Sequence, residues 1–313
     1  MSVVTPLLRG SAWVLLFATL LGCQPAGKGK KDHAPPSGTG GGPAAVPAAE
    51  PSATTEPHKP SAKELREVLA TPVTQAEIDK IVNPKGLSPY AGPTGTVRGV
   101  VRVEGDPAVA DAEVLTKIAP DCKAAQAMFE KTPREGAGRA LADALVAVTG
   151  YEGVVLQKEP AHLVRGIGCA WDTRTIAMTF GQMLRITAAD NRPYVPDLMG
   201  QLMPAQLFAM PGAEPVSLPP RKPGRFRLVD AMRIYSLADV FVLPYPTVDV
   251  TDLDGTFEIT GIPVGKAKVS ALLPATMAVA EKDVEISADQ PTVVDFTLRF
   301  DAKAYQALKV ELK

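Results

Sequence analysis

Histidine is scarce in this 313-residue chain: His33, His58 and His162 are the whole supply. The first two sit in a low-complexity stretch, so chemistry that needs an imidazole base would fall to His162 alone. That argues against an enzyme. Aromatic residues make up 5% of the sequence and the formal net charge is −1. With neither sign in excess, nothing in the total charge points to nucleic acid or to an anionic surface. The sequence has no Gly-x-Ser-x-Gly elbow, no phosphate-cradling glycine loop and no Cys-x-x-Cys-His haem motif. It also lacks a repeat of fixed period. Proline (30) and glycine (26) are plentiful, and 46% of residues are hydrophobic, enough for one or two ordinary cores.

The N-terminus reads as an export signal. Arg9 supplies one positive charge, and residues 12–21 form an apolar run too short to span a bilayer comfortably. The run ends Leu20-Leu21-Gly22-Cys23, which resembles the lipobox of bacterial lipoproteins. That resemblance implies removal of residues 1–22, lipidation of Cys23 and a membrane anchor. Gln24 in the next position leans towards the outer membrane by the lipoprotein sorting rule. Residues 23–60 form a tether of Gly, Pro, Ala, Ser and Lys that cannot bury enough apolar surface to offset its ordering entropy. Such a stretch spans about 30–35 Å as a coil and about 110 Å fully extended.

Two capping boxes follow, Ser61-Ala-Lys-Glu64 and Thr74-Gln-Ala-Glu77, and each predicts a short helix within a segment at 61–94. Leu65, Val68 and Leu69 make one apolar stripe; Ile78, Ile81 and Val82 make another. Thr71-Pro72 separates them. The pair is a hook for a partner, a spacer, or a cover for the folded body.

The most informative stretch is residues 226–265. Residues 240–243 are continuously apolar, as in a strand buried on both faces. Asp254-Gly255 is a tight-turn signal. After it Phe257 and Ile259 alternate with polar residues, which predicts a half-buried strand. Residues 261–265 read as the next turn, followed by a strand with Ala267, Val269 and Ala271 on one face. Residues 95–103, 154–157, 175–180, 183–188, 284–286 and 293–300 are further strand candidates, with Gly181-Gln182 as a hairpin turn. Residues 122–129 read as a short helix. Residues 141–148 have enough Ala for a helix and enough Val for a strand. Short strands with Pro/Gly turns predict an all-β fold of sandwich type.

Residues 250–265 fit the Val-Thr-Asp-x-Asp-Gly-x-Phe-x-Ile-x-Gly-x-Pro-x-Gly segment of the carboxypeptidase regulatory-like (transthyretin-like) domain, which they resemble. Residues 95–246 resemble a bacterial periplasmic cupredoxin-like domain. The expected architecture is therefore a Greek-key cupredoxin-like sandwich at 95–246, a small prealbumin-like sandwich at 247–300 and a tail at 301–313. If residues 95–103 pair with residues 250–300, the first sandwich is inserted in the second; otherwise the two stand in tandem. The resemblance also places a strand at 144–148 and implies a disulfide between Cys122 and Cys169, the even pair left once Cys23 is lipidated.

A type 1 copper site needs two imidazoles, a thiolate and a weak axial thioether. Aligning Pro246 with the family's proline puts Asp230, Arg233 and Ser236 where Cys, His and Met belong, and the earlier loop, residues 189–197, has no histidine. The resemblance thus implies a cupredoxin-like domain without copper, and an Asp230–Arg233 contact could fill the gap. Asp249, Asp252 and Asp254 form part of a calcium-loop pattern but read better as a turn. Met199, Met203 and Met210 lie in a proline-rich stretch where thioethers could meet Cu(I) or a partner. Arg221, Lys222, Arg225 and Arg227 read as a solvated basic edge. The expectation is a lipid-anchored cell-envelope protein without cofactor, metal or nucleic-acid partner, meeting an envelope protein or a glycan. The alternative is a copper-handling or electron-transfer protein using methionines.

Overall fold

The strand Thr94–Gly105 turns Val97, Val101 and Val103 inward and exposes Arg98, Arg102 and Glu104 on its other face. The computed structural model describes residues 73–201 and 205–311, and this strand is its longest. It pairs antiparallel with Thr256–Pro263 and parallel with Thr292–Val293 and Phe296–Phe300. Facing it is a second sheet ordered Val248–Val250, Leu145–Thr149, Gly265–Leu273 and Ala278–Ile286. Phe257, Ile259, Phe296 and Leu298 of one sheet meet Val146, Val148, Val269 and Ala271 of the other in a shared core. This is the host sandwich.

The cores therefore do not divide at residue 246, as the sequence led us to expect. Residues 94–105 and 145–149 lie in the core of residues 256–300, so of the two arrangements left open it is the insertion that occurs, with the strands of residues 161–243 forming a sandwich set within this host. Period alone could not reveal this, because Leu145–Thr149 is a central strand buried on both faces. Asp254-Gly255 makes the expected turn. Gly255 has φ +72°, and a Cβ there would come within 2.4 Å of the Val101 carbonyl, so only glycine fits both conformation and space.

The inserted sandwich stacks the sheet Val216–Leu218, Met183–Ala188, Ala161–Ile167 and Ala170–Trp171 on the sheet Thr175–Thr179, Arg233–Leu243, Gly224–Asp230 and Pro196–Met199. Val164, Leu184, Ile186 and Leu218 face Ile176, Leu228, Val240 and Val242. The whole described body is thus all-β and of sandwich type, with few helices. Residues 240–243 behave as their composition predicts. Val240 and Val242 enter the inserted core, while Phe241 and Leu243 turn to the host and pack with Leu145 and Leu272.

Arg225 reinforces that junction. Its guanidinium bonds Asp239 at 2.8 Å and the Pro274 carbonyl at 3.1 Å, and lies 5.5 Å from the Phe241 ring centre. It is a bridge between sandwiches rather than the solvated edge its basic neighbours predict.

Several local expectations change. Residues 154–157 form only a single bridge, Val154 to Pro89. Gly181-Gln182 is no hairpin turn: Thr175–Thr179 and Met183–Ala188 belong to opposite sheets, so the chain crosses the sandwich there. The strand Thr256–Pro263 runs on through Gly261, leaving Val264 alone as the turn. The expected copper loop is a hairpin in which only Ala231-Met232 separates Gly224–Asp230 from Arg233–Leu243. The tail carries a ten-residue helix, Ala302–Glu311.

Of the two predicted N-terminal helices, the one at Ser61 lies outside the described residues. The other is Gln75–Val82, with Thr74 and Glu77 closing the reciprocal capping box. Ile78, Ile81 and Val82 cover the inserted core, as their stripe predicts. Residues 106–144 form an excursion with helices Ala112–Leu115 and Lys123–Phe129. Ile118, Ala125 and Phe129 pack there against Cys169, Ala170 and Tyr235 of the inserted sandwich.

Candidate functional site

Asp230 ends a strand, is fully buried, and is surrounded by donors. Its Oδ1 accepts from the backbone N–H groups of Val195 and Met232, both at 3.1 Å. Its Oδ2 accepts from Arg233 Nη1 at 2.8 Å. The same Arg233 nitrogen donates to the Pro193 carbonyl at 3.0 Å, and the guanidinium stacks 4.9 Å from the centre of the Tyr194 ring. The sequence-predicted loop 189–197 and the hairpin positions 230 and 233 therefore do converge. A carboxylate with three donors and a guanidinium with a ring, a carboxylate and a carbonyl form a closed set, as burial of charge requires.

Tyr194 extends the cluster. Its hydroxyl donates to Asp190 Oδ2 at 3.1 Å and accepts from the Cys169 N–H at 3.2 Å. Burial pushes its phenol pKa up, and the Asp190 carboxylate pushes it further in the same direction. Gly166 makes room for it: a Cβ there would lie 2.5 Å from the ring. Cys169 forms the expected disulfide with Cys122, tying the helical excursion to this corner. Ser236 sits apart from the ion pair. Its buried hydroxyl accepts from the Trp171 N–H at 2.8 Å, and the Trp171 indole packs 5.5 Å from Tyr194. The indole N–H itself finds no acceptor among the described residues. The Asp230–Arg233 contact and the Cys122–Cys169 disulfide were legible beforehand; Tyr194 and Asp190 carry no motif that would single them out.

These residues do not fit a blue copper. A carboxylate, a guanidinium and a hydroxyl stand at the three positions, and every one is already bonded within the chain. Among the described residues, no three His, Cys, Asp or Glu side chains converge as a metal-ligand set.

Around the cluster lies an apolar rim. Ala209 bridges Tyr194, and the Ala231 N–H donates to the Val195 carbonyl, so residues 208–210, 193–195 and 230–234 are neighbouring segments. Phe208, Met210, Met232 and Ile234 on those segments are all exposed. Met199 is exposed as well, and Met203 lies outside the described residues.

A second feature is a cleft of about 480 Å³ where the sandwiches meet, with Arg134, Asp143, Asp249 and Asp252 on the host side and Glu159, His162 and Asp172 on the other. His162 is half-buried rather than a free surface residue. Burial lowers its pKa, partly opposed by Asp172. No hydrogen bond joins it to a hydroxyl or thiol among the described residues, so the cleft offers no nucleophile–base pair. Arg134 grips Asp143 through two bonds of 2.8 and 2.6 Å.

Two of the three aspartates of the calcium-like pattern serve the backbone. Asp249 accepts from Val250 and Glu258, and Asp254 accepts from Thr256. Burial raises the Asp249 pKa, whereas hydrogen bonds from Thr256 lower that of Asp254. Cys23 lies outside the described residues.

No protein-family model matches the chain, and no curated protein matches it. Solved structures similar to part of it include a reduced tryptophan-to-tyrosine mutant of amicyanin, at 17% identity over 28% of this chain and 85% of that one, with a TM-score of 0.24. A Cu(I) methionine-to-alanine mutant of amicyanin aligns at 18% identity over the same shares, also at 0.24. A Cu(I) methionine-to-glutamine mutant aligns at 19% identity over 26% and 82%, at 0.23.

Proposed function

We propose that this chain is a lipid-anchored binding and structural protein of the cell envelope, without a catalytic role, whose inserted sandwich is a copper-free cupredoxin-like scaffold. The observation that carries the reading is the Asp230–Arg233–Tyr194 cluster, which fills the end of that sandwich with satisfied, mutually locked groups. A rigid end ringed by Phe208, Met210, Met232 and Ile234 is suited to contact, because apolar anchors on an ordered backbone lose little entropy on binding. The disulfide fits an oxidising compartment. The apolar run before Cys23 and the long tether support a membrane anchor, and Gln24 leans it towards the outer membrane, with the body in the periplasm or at the surface. The host sandwich, built around a segment that resembles the regulatory-like domain, is the frame that presents the insert.

The partner expected is another envelope protein, with a glycan as the other class. A photo-crosslinking residue at position 232 or 234, in cells, should capture a discrete envelope component, and one on the charged strand face, at Arg98, should not. Equal capture at all three positions, or none at 232 and 234, removes the rim as the contact surface. Cys23→Ala should leave the precursor unlipidated and change its fractionation; a variant still acylated and matured at residue 23 would exclude the anchor.

Exposure of Met199, Met210 and Met232 favours a second reading, capture of Cu(I) by thioethers. Full-length protein mixed with Cu(I) or Cu(II) and desalted should retain no stoichiometric copper and show no intense visible band. One copper per chain would restore the second reading.

A further inference from the structure

The outer strand of a sheet carries backbone groups that must be paired, capped or left to water, and beside the cleft this fold caps most of them. In the parallel pair of Ala161–Ile167 with Met183–Ala188, the Pro160 and Gly166 carbonyls accept from Met183 and Ala189. Alternation then turns the N–H and C=O of Leu163 and Arg165 away from that partner. Asp172 caps Arg165: its Oδ1 accepts from the Arg165 N–H at 3.1 Å, and its own N–H donates to the Arg165 carbonyl at 2.9 Å. In the other sheet Arg174 and Phe180 bond Asp239 and Leu243, so Thr175, Ala177 and Thr179 turn their backbone groups outward. Thr173 Oγ1 bonds both the N–H and the carbonyl of Thr175. Gln182 does the same for Thr179, through its side chain and its own N–H. Leu163 and Ala177 are left, one in each sheet, and their outward N–H and C=O groups have no partner among the described residues. Both line the cleft of about 480 Å³.

We propose that this cleft takes an extended segment of a partner polypeptide bearing lysine or arginine, which adds as a short strand to the two open edges. Stacked sheets lie about 10 Å apart and bonded strands about 4.8 Å, so one chain running between the edges reaches both. The cleft falls within the ~300–1,000 Å³ of small-ligand sites, which is room for a few residues of chain and too little for a folded element. In strand addition the backbone bonds supply affinity and the side-chain surroundings supply selection. Here those surroundings are acidic. Asp143, Glu159, Asp172, Asp249 and Asp252 line the cleft, against the single cation Arg134. Arg134 is spent on Asp143, and Arg165 beside the cleft is spent on Asp172. Glu159, Asp249 and Asp252 make no ion pair among the described residues, so a cationic side chain on the added strand meets an unanswered charge. The site does not depend on the anchor or on the rim's partner.

A fluorescein-labelled peptide, acetyl-Thr-Val-Lys-Val-Lys-Thr-amide, tests this on the full-length protein in detergent. It should bind saturably and slow amide exchange at Leu163 and Ala177 at least about five-fold. The same peptide with its backbone N-methylated, and one with Glu in place of Lys, should each bind at least about ten-fold more weakly. Leu163→Pro deletes an N–H that no neighbouring strand uses, and should weaken the lysine peptide by a similar factor. Asp252→Asn combined with Glu159→Gln leaves every backbone group in place and should do the same, which keeps the test valid if the proline disturbs its strand. No saturable binding of the lysine peptide would overturn the proposal. Binding indifferent to N-methylation would remove the strand pairing, and an acidic peptide bound as tightly would remove the charge match; either result overturns it.

Discussion

The host and inserted sandwiches have cores of similar make, but their ends are closed by different means. The host closes with turns whose sequence is nearly explicit: Asp254 accepts from Thr256, Gly255 takes the positive φ, and Phe257 and Ile259 follow in register. The insert closes with long-range polar chemistry, in which Asp230, Arg233, Tyr194, Asp190 and the Cys122–Cys169 link come from four separate stretches. Local turn chemistry specifies one end cheaply. The other needs the fold in place before its groups can meet, so its residues can differ in kind without disturbing the strands beneath.

The largest effect should come from the host core. Phe257 is 3% exposed and packs with Phe296, so Phe257→Ala should cost about 3–5 kcal/mol in chemical denaturation. The apolar junction of Leu145, Leu272 and Phe241 should keep unfolding a single transition. Two resolved transitions would show that the sandwiches are independent, and an unchanged midpoint would contradict the burial itself.

Removing the disulfide by Cys122→Ser with Cys169→Ser opens a 47-residue separation. In the chain-entropy model this should cost about 3–4 kcal/mol. Hydrogen exchange should show the loss at Lys123–Phe129 and around Trp171 before the host strands, since Cys122 and Cys169 lie in their own small core. Loss that spreads evenly across both sandwiches would erase the contrast drawn above.

Asp230→Ala tests the polar end directly. Breaking a buried pair by deleting one partner costs about 3–5 kcal/mol, but Arg233 is 17% exposed and keeps Pro193 and Tyr194. A smaller cost, about 2–3 kcal/mol, is therefore expected. Asp230→Asn, which retains acceptors, should lose less. Equal loss in the two variants would mean that shape, not donor satisfaction, sets the site.

Legibility followed the same division. Phe257, Ile259, Ala267, Val269 and Ala271 announce their faces by alternation, and all five are in the host core. Residues 240–243 announce burial on both sides. The partner of Thr94–Gly105 was not legible, because pairing across more than 150 residues leaves no local period. The crossing at Gly181 looked like a hairpin because a turn residue specifies a bend but not the sheet on each side. In the cluster, Asp230 and Arg233 are three residues apart and could be paired on paper. Tyr194, Asp190 and the Trp171–Ser236 bond depend on where the fold carries them.

The smallest expected effect lies in the cleft, where neither kind of closure operates. Burial holds the His162 imidazole below its ordinary pKa, and Asp172 offsets only part of that. The unfolded chain binds a proton near the ordinary value of about 6.5, while the folded chain resists until lower pH. As pH falls through that interval the unfolded state takes up more protons, so stability falls with pH; above it, His162 is neutral in both states and contributes nothing. Denaturation midpoints of the parent should therefore drop between about pH 7 and 5.5 more steeply than those of His162→Gln, with the two curves parallel above about pH 7. A parent curve as flat as the variant's would mean that the folded cleft admits the imidazolium, stabilised by Asp172 and Glu159 beside it.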